Sequence, residues 1–190
     1  RVIKYRTGRR EKFWDKNCVA IGLSAGFLEP LESTSLHLIQ RGIMRLVSYF
    51  PDKTCSQVNI ARYNADTVEE YEHIRDFIIL HYKATERDDS PFWRYCKNMT
   101  IPASLEERIG LFKQDGHLLV KDKELFKQDS WLAVMTGQGI MPKQVAPILN
   151  YKNAVDLIPT LDSIENNLKE TVKKLPSHEQ YLMKNCCFKG

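Results

Sequence analysis

The spacing of apolar residues changes from a strand-like to a helix-like period near Leu36. Residues 2–7 (VIKYRT) alternate apolar and polar side chains, and Cys18–Leu23 (CVAIGL) is a short apolar run; both patterns are typical of short strands. From Leu36 to about Tyr49, apolar residues recur every three or four positions, which predicts a helix that Pro51 ends. The first fifty residues are therefore predicted to form strands, a tight turn and a helix.

The rest of the chain shows mainly helical spacing. Asp66 and Ser104, each followed by a glutamate three residues later, resemble capping boxes, and Asp162 precedes another apolar-periodic segment. These three residues are predicted helix starts. The pattern predicts a mainly α fold with a short N-terminal β-hairpin or strand, organised as regions 1–50 and 51–190.

Composition and charge narrow the possible partners of the 190-residue chain. Five cysteines, an odd number without a C-x-x-C pair, argue against a disulfide framework or a metal site and favour reduced thiols in the cytoplasm. No apolar run has the length of a membrane span, so we expect no membrane partner. Residues 1–16 hold seven basic and two acidic side chains, which indicates either a phosphate-bearing partner or a solvated hairpin. Nucleic acid is not expected, because no other segment forms a basic face.

Candidate chemistry concentrates just before the first predicted helix. Ser33, Thr34 and Ser35 stand where a helix presents unpaired N–H groups, an arrangement that attracts anions or serves only to cap the helix. Glu32 precedes them as either a dipole partner or an acid/base. Since Glu29 and Glu32 lie in an apolar stretch, FLEPLES, at least one is expected to be buried and paired.

A longer motif around these residues resembles a known family. Asn17–Gln40 (NCVAIGLSAGFLEPLESTSLHLIQ) closely resembles a segment of the flavin-dependent, tryptophan-type halogenases, and Arg6–Trp14 (RTGRREKFW) resembles the lead-in to it. The FLEPLEST core is specific to that resemblance. The resemblance implies that this chain is the C-terminal part of an α/β, two-region FAD-dependent halogenase. Region 1–50 would then end the flavin- and halide-binding part, and region 51–190 would form a helical cap over the substrate.

The resemblance also implies a reaction and its cofactors. Reduced FAD from a flavin reductase, O2 and a halide, chloride or bromide, would generate hypohalous acid, which halogenates a small electron-rich aromatic such as tryptophan or an indole. A homodimer is a further expectation. The roles that the resemblance assigns are catalysis by Glu32, halide binding by Ser33, Thr34 and Ser35, and cofactor contacts by Gly22, Gly26, Leu36 and His37.

The substrate side departs from the family pattern. The resemblance places substrate-binding residues at His81, Tyr82, Asp88, Phe92 and Trp93. His81 stands at a family tyrosine and Asp88 at the amine-binding glutamate, while Ser35 replaces a family glycine. A shorter acid would reach a substrate ammonium less well, so an indole-like or phenolic substrate is expected rather than free tryptophan. The alternative is that the aromatic residues are plain core.

Several family features lie outside these 190 residues. The chain has no G-x-G-x-x-G fingerprint and no W-x-W-x-I-P motif, and the family's halogen-carrying lysine belongs near the dinucleotide fold. The chain alone is therefore predicted to be inactive. Two other hypotheses stay open: a related flavin monooxygenase, whose G-D-A-A-H helix start is absent here, and a non-catalytic helical binding module.

Overall fold

A computed structural model describes residues 4, 6–53, 55–147 and 154–186, with no side-chain description at 154–156. Within this part of the chain, four two-residue strands precede seven α-helices, which confirms the mainly α fold with short N-terminal β-structure. The strands are β1 (Gly8–Arg9), β2 (Trp14–Asp15), β3 (Cys18–Val19) and β4 (Gly26–Phe27). The helices are α1 (Ser35–Ser48), α2 (Gln57–Lys83), α3 (Pro91–Asn98), α4 (Ala103–Asp115), α5 (Gln128–Gly137), α6 (Ala154–Lys174) and α7 (His178–Asn185).

The strands form two small antiparallel pairs. β1 pairs with β4, while β2 and β3 form a hairpin between them. Only the first two residues of the apolar run Cys18–Leu23 are strand, because the chain then turns through a short 3-10 helix at Gly22–Ser24. The alternating run at residues 2–7 includes positions outside the described residues.

Helix α2 organises the core of the first compact unit, Arg1–Gln144. At 27 residues it is about 40 Å long, and its buried side chains belong to two apolar clusters. The first cluster joins α2 to α1 and the strands, and contains Phe13, Trp14, Ala25, Leu38, Ile60, Tyr63, Tyr71, Ile74 and Ile78. The second joins its C-terminal half to α4 and α5, and contains Phe77, Leu80, Leu105, Phe112, Trp131 and Met135.

The β2–β3 hairpin is tied to α2 by one asparagine. The backbone N–H groups of Phe13 and Trp14 both donate to Asn64 Oδ1 at 2.8 Å, and Asn64 Nδ2 donates to the Trp14 carbonyl at 2.8 Å. A single side chain thus satisfies three backbone groups next to buried rings, where unpaired groups would be costly. The arrangement fixes the N-terminal strands, and hence the turn after them, against the helix.

Helix boundaries follow the predictions at α1 and depart from them elsewhere. α1 begins at Ser35, as expected. α2 begins at Gln57, so Asp66 lies inside the helix, where it pairs with Arg62 at 2.7 Å and accepts a hydrogen bond from the Tyr49 hydroxyl at 3.2 Å. The predicted start at Asp66 was therefore wrong, because its carboxylate serves side-chain partners rather than backbone amides.

Two other predicted starts also lie within helices. α4 begins at Ala103, and the Ser104 hydroxyl donates to Asp76 Oδ2 at 2.5 Å instead of capping the helix. Asp162 lies inside α6, which continues through Pro159. Sequence reasoning overlooked α7 (His178–Asn185), whose start is a true capping box formed by Ser177 and the glutamine three residues later.

The second compact unit, Val145–Gly190, contains α6 and α7. The predicted apolar face of α6 is present but exposed; its members include Ile164, Leu168 and Val172, each at least half exposed. No helix in the described ranges is long and apolar enough to cross a bilayer.

Burial of Tyr71 predicts alkaline destabilisation. The side chain is 3% exposed, and burial, followed by the charges of Glu70 and Tyr63, raises the pKa of Tyr71 from 10.0 to about 12. The folded state therefore keeps the phenol proton that the unfolded chain releases above pH 10. Stability contributed by this proton is complete below pH 10 and is lost as the pH rises towards 12, an effect of about 2 to 3 kcal/mol.

Urea denaturation at pH 9 and pH 11.5 measures this loss. In Tyr71→Phe, the decrease in unfolding free energy between the two pH values should be smaller by about 2 kcal/mol. Tyr95→Phe, at a tyrosine that is 69% exposed, is the matched control. An unchanged pH dependence in Tyr71→Phe would contradict the prediction.

Candidate functional site

The FLEPLEST segment makes a sharp turn into α1. Pro30–Glu32 forms a short 3-10 helix, and the Ser33 N–H closes it by donating to the Pro30 carbonyl at 2.9 Å. Ser33 has φ 51° and ψ 36°, in the left-handed region, and Thr34 has φ −76° and ψ −5°. Successive left- and right-handed residues turn their N–H groups towards one side, a geometry that forms anion-binding concavities.

The start of α1 is not capped by its own hydroxyl groups. Thr34 is the N-cap residue but its side chain accepts no capping hydrogen bond. The first helical hydrogen bond runs from the Leu38 N–H to the Thr34 carbonyl at 3.0 Å. The amides of Ser35, Leu36 and His37 therefore have no helical acceptor, as in the first turn of any α-helix. The missing side-chain cap at Thr34 is what argues against the alternative that this residue serves only to finish the helix.

A small cavity of about 290 Å³ lies at this helix start. Three lining residues carry hydroxyl groups, namely Thr34, Ser35 and Tyr71, and the others are apolar or glycine: Gly22, Leu23, Gly26, Leu28, Leu38 and Ile39. Amide donors among apolar walls suit a small, weakly hydrated anion. The structure thus brings Gly22, Gly26, Thr34 and Ser35 together, whereas Ser33 is exposed and Leu36 is 73% exposed outside the lining.

Local sterics within the chain also explain why glycine stands at the two positions of this cavity. A Cβ atom on Gly26 would lie 2.7 Å from the Gly8 carbonyl oxygen and 2.9 Å from Tyr71 Cε1. Gly22 has φ +68°, and a Cβ atom there would lie 3.1 Å from Ile39 Cγ1. Close backbone packing requires glycine at Gly26, and the positive φ favours it at Gly22. The contact of both residues with flavin stays a prediction.

His37 contacts Glu70 of α2. Its Nε2 lies 3.1 Å from Glu70 Oε1, and Glu70 also accepts from Arg41 Nε at 3.2 Å and Arg45 Nη2 at 2.8 Å. The side chains of Glu70 and Arg45 are 8% and 9% exposed, so this pair is buried, whereas His37 and Arg41 are partly exposed at the edge of the cluster. The predicted contact of His37 with flavin stays a prediction.

Both glutamates of the FLEPLEST segment reach the end of α2. Glu32 Oε1 lies 2.9 Å from His81 Nε2, and His81 Nδ1 lies 2.8 Å from the Phe77 carbonyl oxygen. Burial, then a hydrogen bond and charge from Glu29, raise the pKa of the neighbouring Tyr82. At least one glutamate was expected to be buried and paired. The pairing is confirmed, since both have partners on α2, but both side chains are only partly buried. The buried Oε2 atom of Glu29 has no hydrogen-bond partner among the described residues.

The predicted aromatic residues gather next to these glutamates. The Tyr82 and Trp93 rings stack with centroids 6.1 Å apart, and Phe92 meets Trp93 edge-on at 5.0 Å. The guanidinium of Arg87 lies 4.5 Å from the Trp93 ring centroid. Phe92 is 56% exposed, which argues against plain core packing for this residue, whereas Tyr82 packs against the first apolar cluster. Asp88 is exposed on the loop after α2.

A larger open cavity adjoins the small one and shares Leu23 and Gly26 with it. Its volume is about 550 Å³, and its lining includes Arg6, Arg9 and Arg10. Guanidinium groups beside apolar residues would suit a flat aromatic cofactor that bears phosphate. No three His, Cys, Asp or Glu side chains in the described part of the chain group closely enough to hold a metal ion.

Sequence reasoning did not assign roles to three residues of this region. Glu29 pairs with Tyr82. The only sign of this pairing in the sequence is the apolar stretch around the glutamate. Glu70 and Arg87 gave no signal, because charged residues on a helix and in a loop are normally solvated.

The FLEPLEST segment lies in a part of the chain that matches a known protein family. Residues 1–154 match the profile of the family described as tryptophan halogenase. Tryptophan 7-halogenase KtzQ from Kutzneria sp. (strain 744) is 30% identical over 197 residues, covering 95% of this chain and 37% of that protein.

Two similar solved structures are flavin-dependent halogenases. BrvH from Brevundimonas sp. BAL3 is 43% identical with a TM-score of 0.88, covering 96% of this chain and 37% of that one. Xcc4156 from Xanthomonas campestris is 45% identical with a TM-score of 0.90, covering 97% and 37%. The chain thus spans little more than a third of the length of these relatives.

Proposed function

Because this chain belongs to the tryptophan halogenase family, we propose that it forms the halide and substrate side of a flavin-dependent halogenase that acts on an electron-rich aromatic. One observation carries the proposal. The FLEPLEST segment and the Ser35 that follows it line the small cavity through Thr34 and Ser35. The two glutamates of the segment contact His81 and Tyr82. One short segment thus connects the proposed halide site at the start of α1 with the proposed aromatic substrate site at the end of α2.

The residues present fit the two groups that this chemistry needs. The uncapped amides at Thr34 and Ser35 would hold the halide, with Ser33 beside them. The apolar and arginine-lined walls of the larger cavity would meet FAD, with Gly22, Gly26, Leu36 and His37 as candidate contacts. When bound in its reduced form, FAD supplies hypohalous acid from O2 and the halide. A flavin reductase, a homodimer and a cytoplasmic location belong to the same proposal.

Glu32 is the proposed base. A π-electron pair of the substrate ring forms the carbon–halogen bond as the halogen–oxygen bond breaks, and the departing hydroxide takes a proton from solvent to become water; the proton that Glu32 then accepts returns to solvent before the next turnover. The C–H bond at that carbon then breaks, its electron pair restores the aromatic ring, and its proton passes to the Glu32 carboxylate. The side chain is 31% exposed and contacts His81, the residue before Tyr82 of the aromatic cluster. A proton acceptor for the substrate needs such access to solvent-facing space.

The substrate side favours an indole without a charged amine. Tyr82, Phe92 and Trp93 offer aromatic surface, and Arg87 adds a positive charge over Trp93. Asp89 pairs with Arg87 at 2.8 Å, which leaves Asp88 as the candidate acid for a substrate ammonium. An exposed aspartate holds such a group less well than a glutamate one methylene longer.

Substrate competition tests the proposal. A polypeptide that joins this segment to a complete flavin-binding region, supplied with FADH2, O2 and bromide, should brominate indole with a kcat/KM at least about tenfold above that for tryptophan. Mass spectrometry detects the products, and reactions without bromide are the control. Asp88→Glu should narrow the difference by improving the use of tryptophan.

Two outcomes would contradict this function. Hydroxylated indole in place of bromoindole would indicate a monooxygenase. Binding of indole without any conversion, despite bound and oxidisable flavin, would indicate a binding module.

A further inference from the structure

His81 stands between two hydrogen-bond acceptors. Its Nδ1 faces the Phe77 carbonyl oxygen at 2.8 Å and its Nε2 faces Glu32 Oε1 at 2.9 Å. A backbone carbonyl can only accept, and an ionised carboxylate can only accept. The ring must therefore donate from Nδ1, and a further proton must lie between Nε2 and Oε1.

We infer that His81 is a positioning residue for Glu32: its Nε2–H group holds Oε1, so that the other carboxylate oxygen, Oε2, takes the proton from the substrate ring. This inference rests on the proposed function. It replaces the expectation that His81 contacts the substrate, because the two ring nitrogens already have partners within the protein.

The orientation of the imidazole is fixed from two sides. The Phe77 ring, 1% exposed, meets it edge-on with centroids 4.9 Å apart and an interplanar angle of 84°. The Phe77 carbonyl holds Nδ1, so Nε2 can only point towards Glu32. Glu29, the other carboxylate of the segment, acts on Tyr82 rather than on the imidazole. A donor held this firmly needs little reorganisation during reaction.

The hydrogen bond suits Glu32 both before and after it accepts a proton. Before the transfer, Nε2–H donates to a carboxylate oxygen. When the ring C–H bond breaks, its electron pair stays in the ring and the proton bonds to Oε2, leaving Oε1 as the carbonyl oxygen of a carboxylic acid. Oε1 then still accepts from Nε2–H, so the geometry is preserved through the step.

Kinetics can separate positioning from substrate contact. In the polypeptide that includes the flavin-binding region, His81→Phe should lower kcat by about 10- to 100-fold with less than about a threefold change in the KM for indole, since no substrate contact is lost. Deuterium at the reacting carbon should then slow turnover, because C–H cleavage becomes limiting. His81→Gln retains an N–H donor and should recover most of the activity.

Two kinetic results would overturn the inference. One is an increase in the KM for indole at unchanged kcat in both variants, which would indicate a substrate contact. The other is a lower kcat in His81→Phe without any isotope effect.

A measurement without turnover tests the hydrogen bond itself. In the 190-residue chain labelled with ¹⁵N-histidine, NMR should find an Nε2–H proton on His81 that is hydrogen-bonded to Glu32. In Glu32→Gln, the new amide can donate to Nε2, so the Nε2 proton should be lost under the same conditions. A bare Nε2 in the unmodified chain, alongside normal halogenation, would sink this inference alone. The Nε2 proton present, with no halogenation, would instead sink the proposed function and the positioning role of His81 with it.

Discussion

Glu32→Gln is expected to reduce kcat for halogenation by about 100- to 10,000-fold, the range that a positioned acid or base contributes. The amide that replaces the carboxylate cannot accept the proton that leaves the substrate ring. Substrate binding should change little, because the aromatic surface of Tyr82, Phe92 and Trp93 is untouched. The measurement is bromoindole formation in single turnovers, with reduced flavin and bromide in excess.

The same variant should fold normally. The Glu32 side chain is 31% exposed, and a pair this accessible contributes about 1 kcal/mol or less. Glu107→Gln, at an exposed position on α4, is the matched control for loss of one glutamate charge. Halogenation by Glu32→Gln within threefold of the parent would remove Glu32 from the mechanism. It would favour a helical module whose carboxylate only stabilises the turn.

Glu70→Gln is expected to destabilise the chain by about 3 kcal/mol or more. Glu70 is 8% exposed and receives His37, Arg41 and Arg45, which are four residues apart and so share one face of α1. Arg45 is itself 9% exposed, and removing the carboxylate leaves its charge buried without compensation. Urea denaturation of the 190-residue chain measures the change.

The neighbouring residue provides the control for this prediction. Glu69 is 39% exposed and pairs with Lys121 at 2.6 Å, so Glu69→Gln should cost less than about 1 kcal/mol. Similar losses in the two variants would show that the Glu70 cluster is no stronger than a surface ion pair. A larger loss for Glu70 would identify the cluster as the main electrostatic link between α1 and α2.

Local patterns predicted some elements and misplaced others for a physical reason. The α1 helix follows directly from apolar residues at helical spacing before a proline. At Asp66 and Asp162, an acidic residue ahead of an apolar face looks the same whether it caps a helix or lies within one. Tertiary partners decide between these cases, as Arg62 and Tyr49 do for Asp66.

The candidate site likewise combines features that the local sequence predicts with contacts that only the tertiary structure sets. The helix start at Thr34 and the glutamates beside it could be predicted, because they are contiguous in the sequence. The contact between Glu32 and His81 joins residues 49 positions apart, and no local pattern encodes it. The resemblance to a family placed His81 on the substrate side, while its hydrogen-bond partners depend on how α2 packs against the turn.

The contacts of Glu29 and Glu32 with consecutive residues of α2 have a consequence for enzyme engineering. A library that varies His81 or Tyr82 to change the substrate range would also disturb the carboxylates, so gains in scope there should come with losses in turnover. Phe92 and Arg87 shape the same aromatic surface, and among the described residues Arg87 pairs with Asp89 rather than with Glu29 or Glu32. These two positions are therefore the better starting points for redesign.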